Sequence, residues 1–273
     1  MEKVVAAVKK TSDKVILPRF KALNAADIEE KSGPGDLVTI ADIEAEEELS
    51  KALKQLVDSS VVVGEESTAK NPDIINLLSG ESPVWVIDPI DGTKNFTKGS
   101  NLFCTMVCLM KRNSPVLALI FDPFKDKYIA AEKGGGAWLH NIKKKSSEKL
   151  KVVEPTTLEN MMGYLSLGGF RDRETRDKMR LLAGDIFKNY DNLGCSGHEY
   201  INLVTGEKHF AINYRTYPWD HLPGCLIHSE AGGYQTRFDG NNCSSLELTA
   251  GLIVAPNKAA CHEIRENFLL SYL

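Results

Sequence analysis

Two aspartates, Asp88 and Asp91, stand three residues apart in Asp88-Pro89-Ile90-Asp91-Gly92-Thr93. Hard carboxylate oxygens so close together suit a divalent cation, and the small-residue turn after them offers backbone N–H groups to an anion. A cation-dependent phosphatase needs both features. The same letters also read as an Asp-Pro turn leaving a strand.

The preceding run, Pro83-Val84-Trp85-Val86-Ile87, is apolar, β-branched and aromatic, so the acids stand at the end of a buried strand. Other acids fall at element ends in the same way. Val61-Val62-Val63-Gly64 is a short buried strand that hands on to Glu65 and Glu66, which alone would read as solvated loop charges. Asp36-Leu37-Val38-Thr39 leads into a helical run through Leu49, with Thr39 as N-cap and Asp42 in its first turn. By itself Asp42 reads as compensation of the helix macrodipole. Trp219-Asp220 opens another helix that reaches Glu230-Ala231-Gly232-Gly233.

Acids from such distant segments need a large scaffold to bring them together. A chain of 273 residues can supply one, hiding roughly three-quarters of its unfolded surface. Residues 2–23 have helical spacing with a kink or break expected at Pro18, and Lys31 to Gly35 is a loop. Pro72 to Leu78 is a short helix stopped by Gly80. Leu102–Met110 and Val116–Asp122 form a hairpin, with a third strand from Lys127 to Glu132. Gly134-Gly135-Gly136 turns the chain, and no helix opens behind it, which excludes a dinucleotide or P-loop reading. The run 143–148 reads as a solvated loop and a lobe boundary, dividing the chain into residues 1–145 and 146–273. Beyond it come helices over 174–188, 199–204 and 258–270, with strands at 210–212 and 252–255. Strands and helices alternate without a regular βαβ period, which favours layered α and β elements over a doubly wound sheet.

Composition narrows the function. Hydrophobic content of 42% and charged content of 26% are those of a soluble globular protein, and a net charge of −4 gives no electrostatic case for nucleic acid or an anionic membrane. The N-terminal stretch mixes charges through its apolar residues, unlike a signal peptide or membrane span. Six scattered cysteines include no C-x-x-C pair and no zinc spacing. They read as free thiols in a reducing cytoplasm, with Cys104 and Cys108 on one face of a strand. No G-x-S-x-G elbow or Cys/His pair is present, so water rather than a side chain is the expected nucleophile.

The pieces Asp36-Leu37-Val38-Thr39-x-x-Asp42, Gly64-Glu65-Glu66-Ser67, Trp85-Val86-Ile87-Asp88-Pro89-Ile90-Asp91-Gly92-Thr93-x-Asn95-Phe96 and Trp219-Asp220 with Glu230-Ala231-Gly232-Gly233 together resemble the inositol monophosphatase family of magnesium-dependent, lithium-sensitive phosphatases. The resemblance covers nearly the whole chain in order and spacing. It implies an α+β fold, the layered α-β-α-β-α sandwich shared with fructose-1,6-bisphosphatase, in a homodimer. By position it makes Glu65, Asp88, the carbonyl of Ile90, Asp91 and Asp220 ligands for two or three Mg²⁺ ions. It gives Thr93 with Asp42, together with Glu65, the activation of the attacking water. The N–H groups of Gly92 and Thr93 become the phosphate cradle, and Lys31 a lysine that approaches the site. Ions roughly 3.5–4 Å apart do need several hard carboxylates that no single loop supplies.

The match is looser on the substrate side. Inositol-phosphate enzymes of the family carry an acid shortly before the Trp-Asp pair, and here Asn213 stands in that place. Arg215 offers a fork for a second phosphate or a carboxylate, as does Arg171; the competing reading of each is a solvated surface charge. Ser196, in Gly194-Cys195-Ser196-Gly197, joins Asn213, Arg215, Asp91 and Asp220 as expected substrate contacts. His221 reads as a supporting residue beside Asp220, not a metal ligand. The expected substrate is inositol or another polyol or sugar monophosphate. The alternatives are fructose 1,6-bisphosphate, 3′-phosphoadenosine 5′-phosphate and histidinol phosphate, and, in another class, a regulator that binds the transcription machinery.

Overall fold

The computed structural model describes residues 1–31, 37–170, 172–241, 251–270 and 272; Asp36, Arg171 and Cys243 lie outside the described residues. The chain opens with α1 (Glu2–Thr11), which passes through a π-helical stretch (Ser12–Ile16) into α2 (Leu17–Arg19). The kink expected at Pro18 therefore takes the form of a wider turn just upstream, where the proline ring would crowd a regular α-turn. Strands β1 (Ile28–Glu30) and β2 (Leu37–Thr39) pair antiparallel and deliver the chain to α3 (Ile40–Lys54).

Then come β3 (Val61–Gly64), α4 (Glu65–Lys70), a 3₁₀ segment (Pro72–Ser79) and β4 (Val84–Asp91). After α5 (Thr93–Thr97) the chain forms a meander of β5 (Cys104–Lys111), β6 (Ser114–Asp122), β7 (Lys127–Glu132), β8 (Ala137–Asn141) and β9 (Ser146–Lys149). Strands β3 to β9 make a seven-stranded sheet in sequence order, with β3 and β4 parallel and the rest antiparallel. The segment expected as a loop thus contains an edge strand. Ser146–Lys149 is polar and exposed, and its pairing with β8 rather than any apolar pattern makes it a strand.

The remaining elements are β10 (Met162–Ser166), α6 (Arg173–Ile186), β11 (Asn189–Asp191), α7 (Ser196–Val204), β12 (Phe210–Asn213), α8 (Pro218–Glu230), β13 (Tyr234–Arg237), β14 (Leu252–Ala255) and α9 (Lys258–Ile264). Their strands form a five-stranded sheet in the order β11-β10-β12-β14-β13.

Alternation along the strands sets the layers. On β5, Val107 and Leu109 pack with Val4 and Val8 of α1 and Leu49 and Leu53 of α3, while Cys104 and Met106 face α7 and α8. On β12, Ala211 faces the same two helices, and Phe210 and Ile212 face α6 and α9. Helices, sheet, helices, sheet and helices follow one another: a layered α-β-α-β-α sandwich. Each large apolar side chain buried between layers stabilises by about 1.5–3 kcal/mol. Helices α7 and α8 are shared by both sheets, and α8 begins at the mouth of the β4 acids.

Candidate active site

Strand β4 is buried along its whole length, so its end is a rigid platform. Its pairing with β5 slips between Asp88 and Asp91, where Pro89 cannot donate to a ladder; the Pro89 carbonyl instead accepts from Thr105 Oγ1 at 2.9 Å. The slip turns both carboxylates inward. Gly92 then adopts φ +94°, and a side chain there would meet the Leu102 carbonyl at 2.8 Å and Cys195 Cβ at 3.2 Å. Only glycine meets both demands. Thr93 opens α5, where the first N–H groups of a helix lack internal partners. Asn95 Nδ2 donates to the Leu102 carbonyl (2.9 Å) and the Leu193 carbonyl (2.8 Å), tying this corner to the loop before α7.

Helix α3 contributes Asp42, fully buried, which the structure places both in the helix cap and beside Thr93. Its Oδ2 accepts from the Thr39 backbone N–H (2.8 Å) and Thr39 Oγ1 (2.5 Å), completing the capping box. Its Oδ1 accepts from Thr93 Oγ1 at 3.2 Å, a hydroxyl that also lies 3.1 Å from the Ile90 carbonyl. One turn further along, the buried Glu46 carboxylate accepts from the backbone N–H groups of Glu66 (2.7 Å) and Ser67 (2.8 Å). It thereby caps α4, so Glu65 and Glu66 are the first turn of a helix, not loop charges. Lys31 Nζ bridges them, 2.6 Å from Glu65 Oε1 and 3.0 Å from Glu66 Oε1.

From the other side, α8 brings Asp220 in its first turn, and α7 grips Asp91. The N–H groups of Ser196 and Gly197 donate to Asp91 Oδ1 (3.2 Å) and Oδ2 (2.6 Å). Carboxylate oxygens of Asp88, Asp91 and Asp220 lie within 4.8 Å of one another. Burial first, and then the neighbouring acids, hold Asp88 and Asp220 well above the usual carboxylate range. Burial raises Glu65 as well, pushes Glu66 up to about 8, and pushes Asp42 up to about 7 against the lowering pull of Thr39. Asp88 Oδ1 is buried without a hydrogen-bond partner. An orphaned oxygen among converging acids is what a hard divalent cation satisfies, and the donor set, all oxygen, is the kind Mg²⁺ takes.

The acids open into a cleft of about 310 Å³ lined by Glu65, Asp88, Ile90, Asp91, Thr93 and Asp220. Arg215 also lines it; its guanidinium packs over the Tyr217 ring at 5.5 Å. Asn213 does not: it is buried at the end of β12, paired in register with Leu252. Ser196 contributes its backbone to Asp91. His221 is buried, with Nδ1 3.2 Å from the Tyr200 hydroxyl, and burial lowers its pKa to about 4. Its place is in the packing of α7 against α8. Lys94, Gly194 and Tyr217 line the cleft without having been singled out, as they carry no motif of their own. Nor was Glu46, whose role depends on an α3–α4 contact that spacing does not show.

The chain is similar to known proteins in sequence and in fold. The sequence profile of the inositol monophosphatase family matches residues 1–269. The inositol monophosphatase of Dictyostelium discoideum is 32% identical over 78% of this chain and 76% of its own length. An Aquifex aeolicus protein named fructose-1,6-bisphosphatase/inositol-1-monophosphatase is 31% identical over 81% of this chain and 80% of its own. In fold, a Thermotoga maritima IMPase superposes with a TM-score of 0.80 at 22% identity, covering 97% of this chain and 94% of that one.

Proposed function

The chain belongs to the inositol monophosphatase family, and from that premise we propose that it hydrolyses a small phosphate monoester with Mg²⁺. The observation that carries the reading is the meeting of Asp88, Asp91 and Asp220 within 4.8 Å, from both halves of the chain, around a buried unpartnered oxygen. Glu65, Asp88, Asp91, Asp220 and the Ile90 carbonyl would hold two or three ions. When bound, the ions supply positive charge that acidifies the attacking water and stabilises the phosphate and the departing alkoxide.

The chain's own residues do the rest. With its proton given to Asp42, Thr93 Oγ1 would accept from a water bound in the cleft. That water's proton passes to Thr93 Oγ1 as the threonine proton moves to Asp42. Burial raises the Asp42 carboxyl above the usual carboxylate range, which favours its taking up a proton. The N–H groups of Gly92 and Thr93 face the phosphate, and Lys31, held on Glu65 and Glu66, adds positive charge at the rim. Arg215 and Lys94 also line the cleft and bring positive charge to it.

Inositol or another polyol or sugar monophosphate is our first substrate. A bisphosphate is the second reading, favoured by one observation: Arg215 lines the cleft, whereas Asn213, the expected hydroxyl reader, does not. Carried from the family are lithium sensitivity, a homodimer and two lobes that meet at the site, with β9 extending the first sheet beyond residue 145. The five described cysteines are free thiols, which suits a reducing cytoplasm. Among the described residues no helix is long and apolar enough to cross a membrane. A purely regulatory role through the transcription machinery fits less well, because crowded buried carboxylates are costly to keep without a cation. Phosphate release from a panel of monoesters and bisphosphates, with Mg²⁺ and with or without Li⁺, tests the reading. Release from inositol 1-phosphate is expected, and no release from any member overturns it.

A further inference from the structure

Asp91 has a second set of neighbours on the face turned away from the cleft. Cys104, on β5, places Sγ 3.6 Å from Asp91 Oδ2; Cys195, the residue that caps α7, places Sγ 3.1 Å from the same oxygen. The two sulfurs are 3.9 Å apart. Two thiolates on a tetrahedral zinc ion, at about 2.3 Å each, stand about 3.8 Å apart. A point equidistant from these three atoms lies about 2.1 Å from each, against about 2.0–2.3 Å for zinc–oxygen and zinc–sulfur bonds. Gly197 holds this spacing: a Cβ there would fall 2.2 Å from Cys104 Sγ.

We propose that Cys104, Cys195 and Asp91 Oδ2 form a site for a thiophilic divalent cation such as Zn²⁺, sharing Asp91 with the Mg²⁺ cluster. Soft sulfur ligands select zinc or cadmium over magnesium, whereas the cleft acids, all oxygen, do the reverse. On binding, the cation forms two metal–sulfur bonds and one metal–oxygen bond, and the two thiol protons leave to solvent. A cation on Oδ2 withdraws charge from the Asp91 carboxylate and so weakens its hold on Mg²⁺. The site stands on its own geometry; only its inhibitory effect rests on the phosphatase reading.

Cd²⁺ is the probe, because cadmium–thiolate bonds absorb in the ultraviolet. The reduced full-length protein, held in saturating Mg²⁺, is titrated with Cd²⁺. A charge-transfer band saturating at one equivalent is expected, with binding at least about tenfold weaker in Cys104→Ser and in Cys195→Ser. It stays unchanged in Cys108→Ala, a buried thiol outside the cluster. Cooperative melting of each serine variant establishes its fold, and Cys104→Ala or Cys195→Ala replaces one that fails. No band in the wild type, or a band that survives both substitutions, overturns the site. In the second arm, Zn²⁺ inhibits phosphate release by the wild type more strongly than by either serine variant. Equal inhibition of all three overturns the coupling through Asp91. If no substrate is hydrolysed at all, the cadmium band still decides the site.

Discussion

Substituting Gly64 tests how Glu65 is held. The residue has φ −107°, so alanine meets no backbone strain there. A Cβ would nevertheless lie 2.2, 2.4 and 2.5 Å from the carboxylate atoms of Glu46. The side chain of Glu46 must retreat, and in retreating it releases the N–H groups of Glu66 and Ser67, which it accepts at 2.7 and 2.8 Å. Leaving one buried and one half-buried donor unpaired costs about 1–3 kcal/mol each, so Gly64→Ala is expected to lose about 2–6 kcal/mol. At about 2–4 °C per kcal/mol for a chain near this size, the melting temperature falls by about 4–24 °C. Helix α4 carries Glu65, so half-saturation by Mg²⁺ in the phosphate-release assay rises as well. The decisive measurement is the double-mutant cycle with Glu46→Ala, followed by calorimetry. Once the carboxylate is gone the alanine methyl has room, and Gly64→Ala adds little further cost. Additive penalties, or a single Gly64→Ala variant that melts like the wild type, refute the reasoning.

Three further outcomes follow from the site. Asp88→Asn lowers turnover by orders of magnitude while raising the melting temperature of the Mg²⁺-free protein, because it removes one of several crowded buried acids; an active, Mg²⁺-independent variant would contradict the assignment. Thr93→Ala lowers kcat by about 10²–10⁴-fold and Thr93→Ser retains most of it, since only the hydroxyl reaches Asp42; equal loss in both variants contradicts the relay. The pH dependence of the Mg²⁺-free protein has a definite sign. Asp42 is raised to about 7 and Glu66 to about 8, so the folded chain keeps protons that the unfolded chain has released. Stability is therefore greatest below about pH 4 for these groups and is lost as pH rises through about 7–8. Differential scanning fluorimetry between about pH 5.5 and 9 is expected to show a falling melting temperature that Mg²⁺ flattens; a rise without Mg²⁺ contradicts it.

The sequence was legible where one local signal carried one role. Asp88 to Thr93 announced itself through acid spacing after an apolar run, and Thr39 with Asp42 through a capping box that the structure reproduces. Alternation without a βαβ period points only to layered α and β elements, and the five-layer sandwich is what the family resemblance implies. Strands β1, β2, β8, β9, β10, β11 and β13 are not legible in the sequence because each has five residues or fewer, too short a run to show alternation, and pairing with neighbouring strands defines them. Glu46 and Lys94 were missed for a related reason: one acts through a helix 20 residues away, the other by facing a cleft. Asn213 was chosen by its distance from Trp219, and a strand's alternation then buried it. Chemistry was therefore readable from residue type and spacing, whereas the selection of the leaving group depends on which side chains face one volume.

Strand β9 has one more consequence. As an outer strand of the seven-stranded sheet, with all four of its residues exposed, it borders solvent. An open strand edge is a template onto which another chain's strand can add. Lys143, Lys144 and Lys145 lead directly into it, and Lys149 closes it. Charge repels an approaching copy, and long lysine side chains are costly to desolvate, so the polar run that resembled a linker serves as a guard against aggregation. Its polar, exposed composition is what leaves this edge of the sheet a poor template for a further strand.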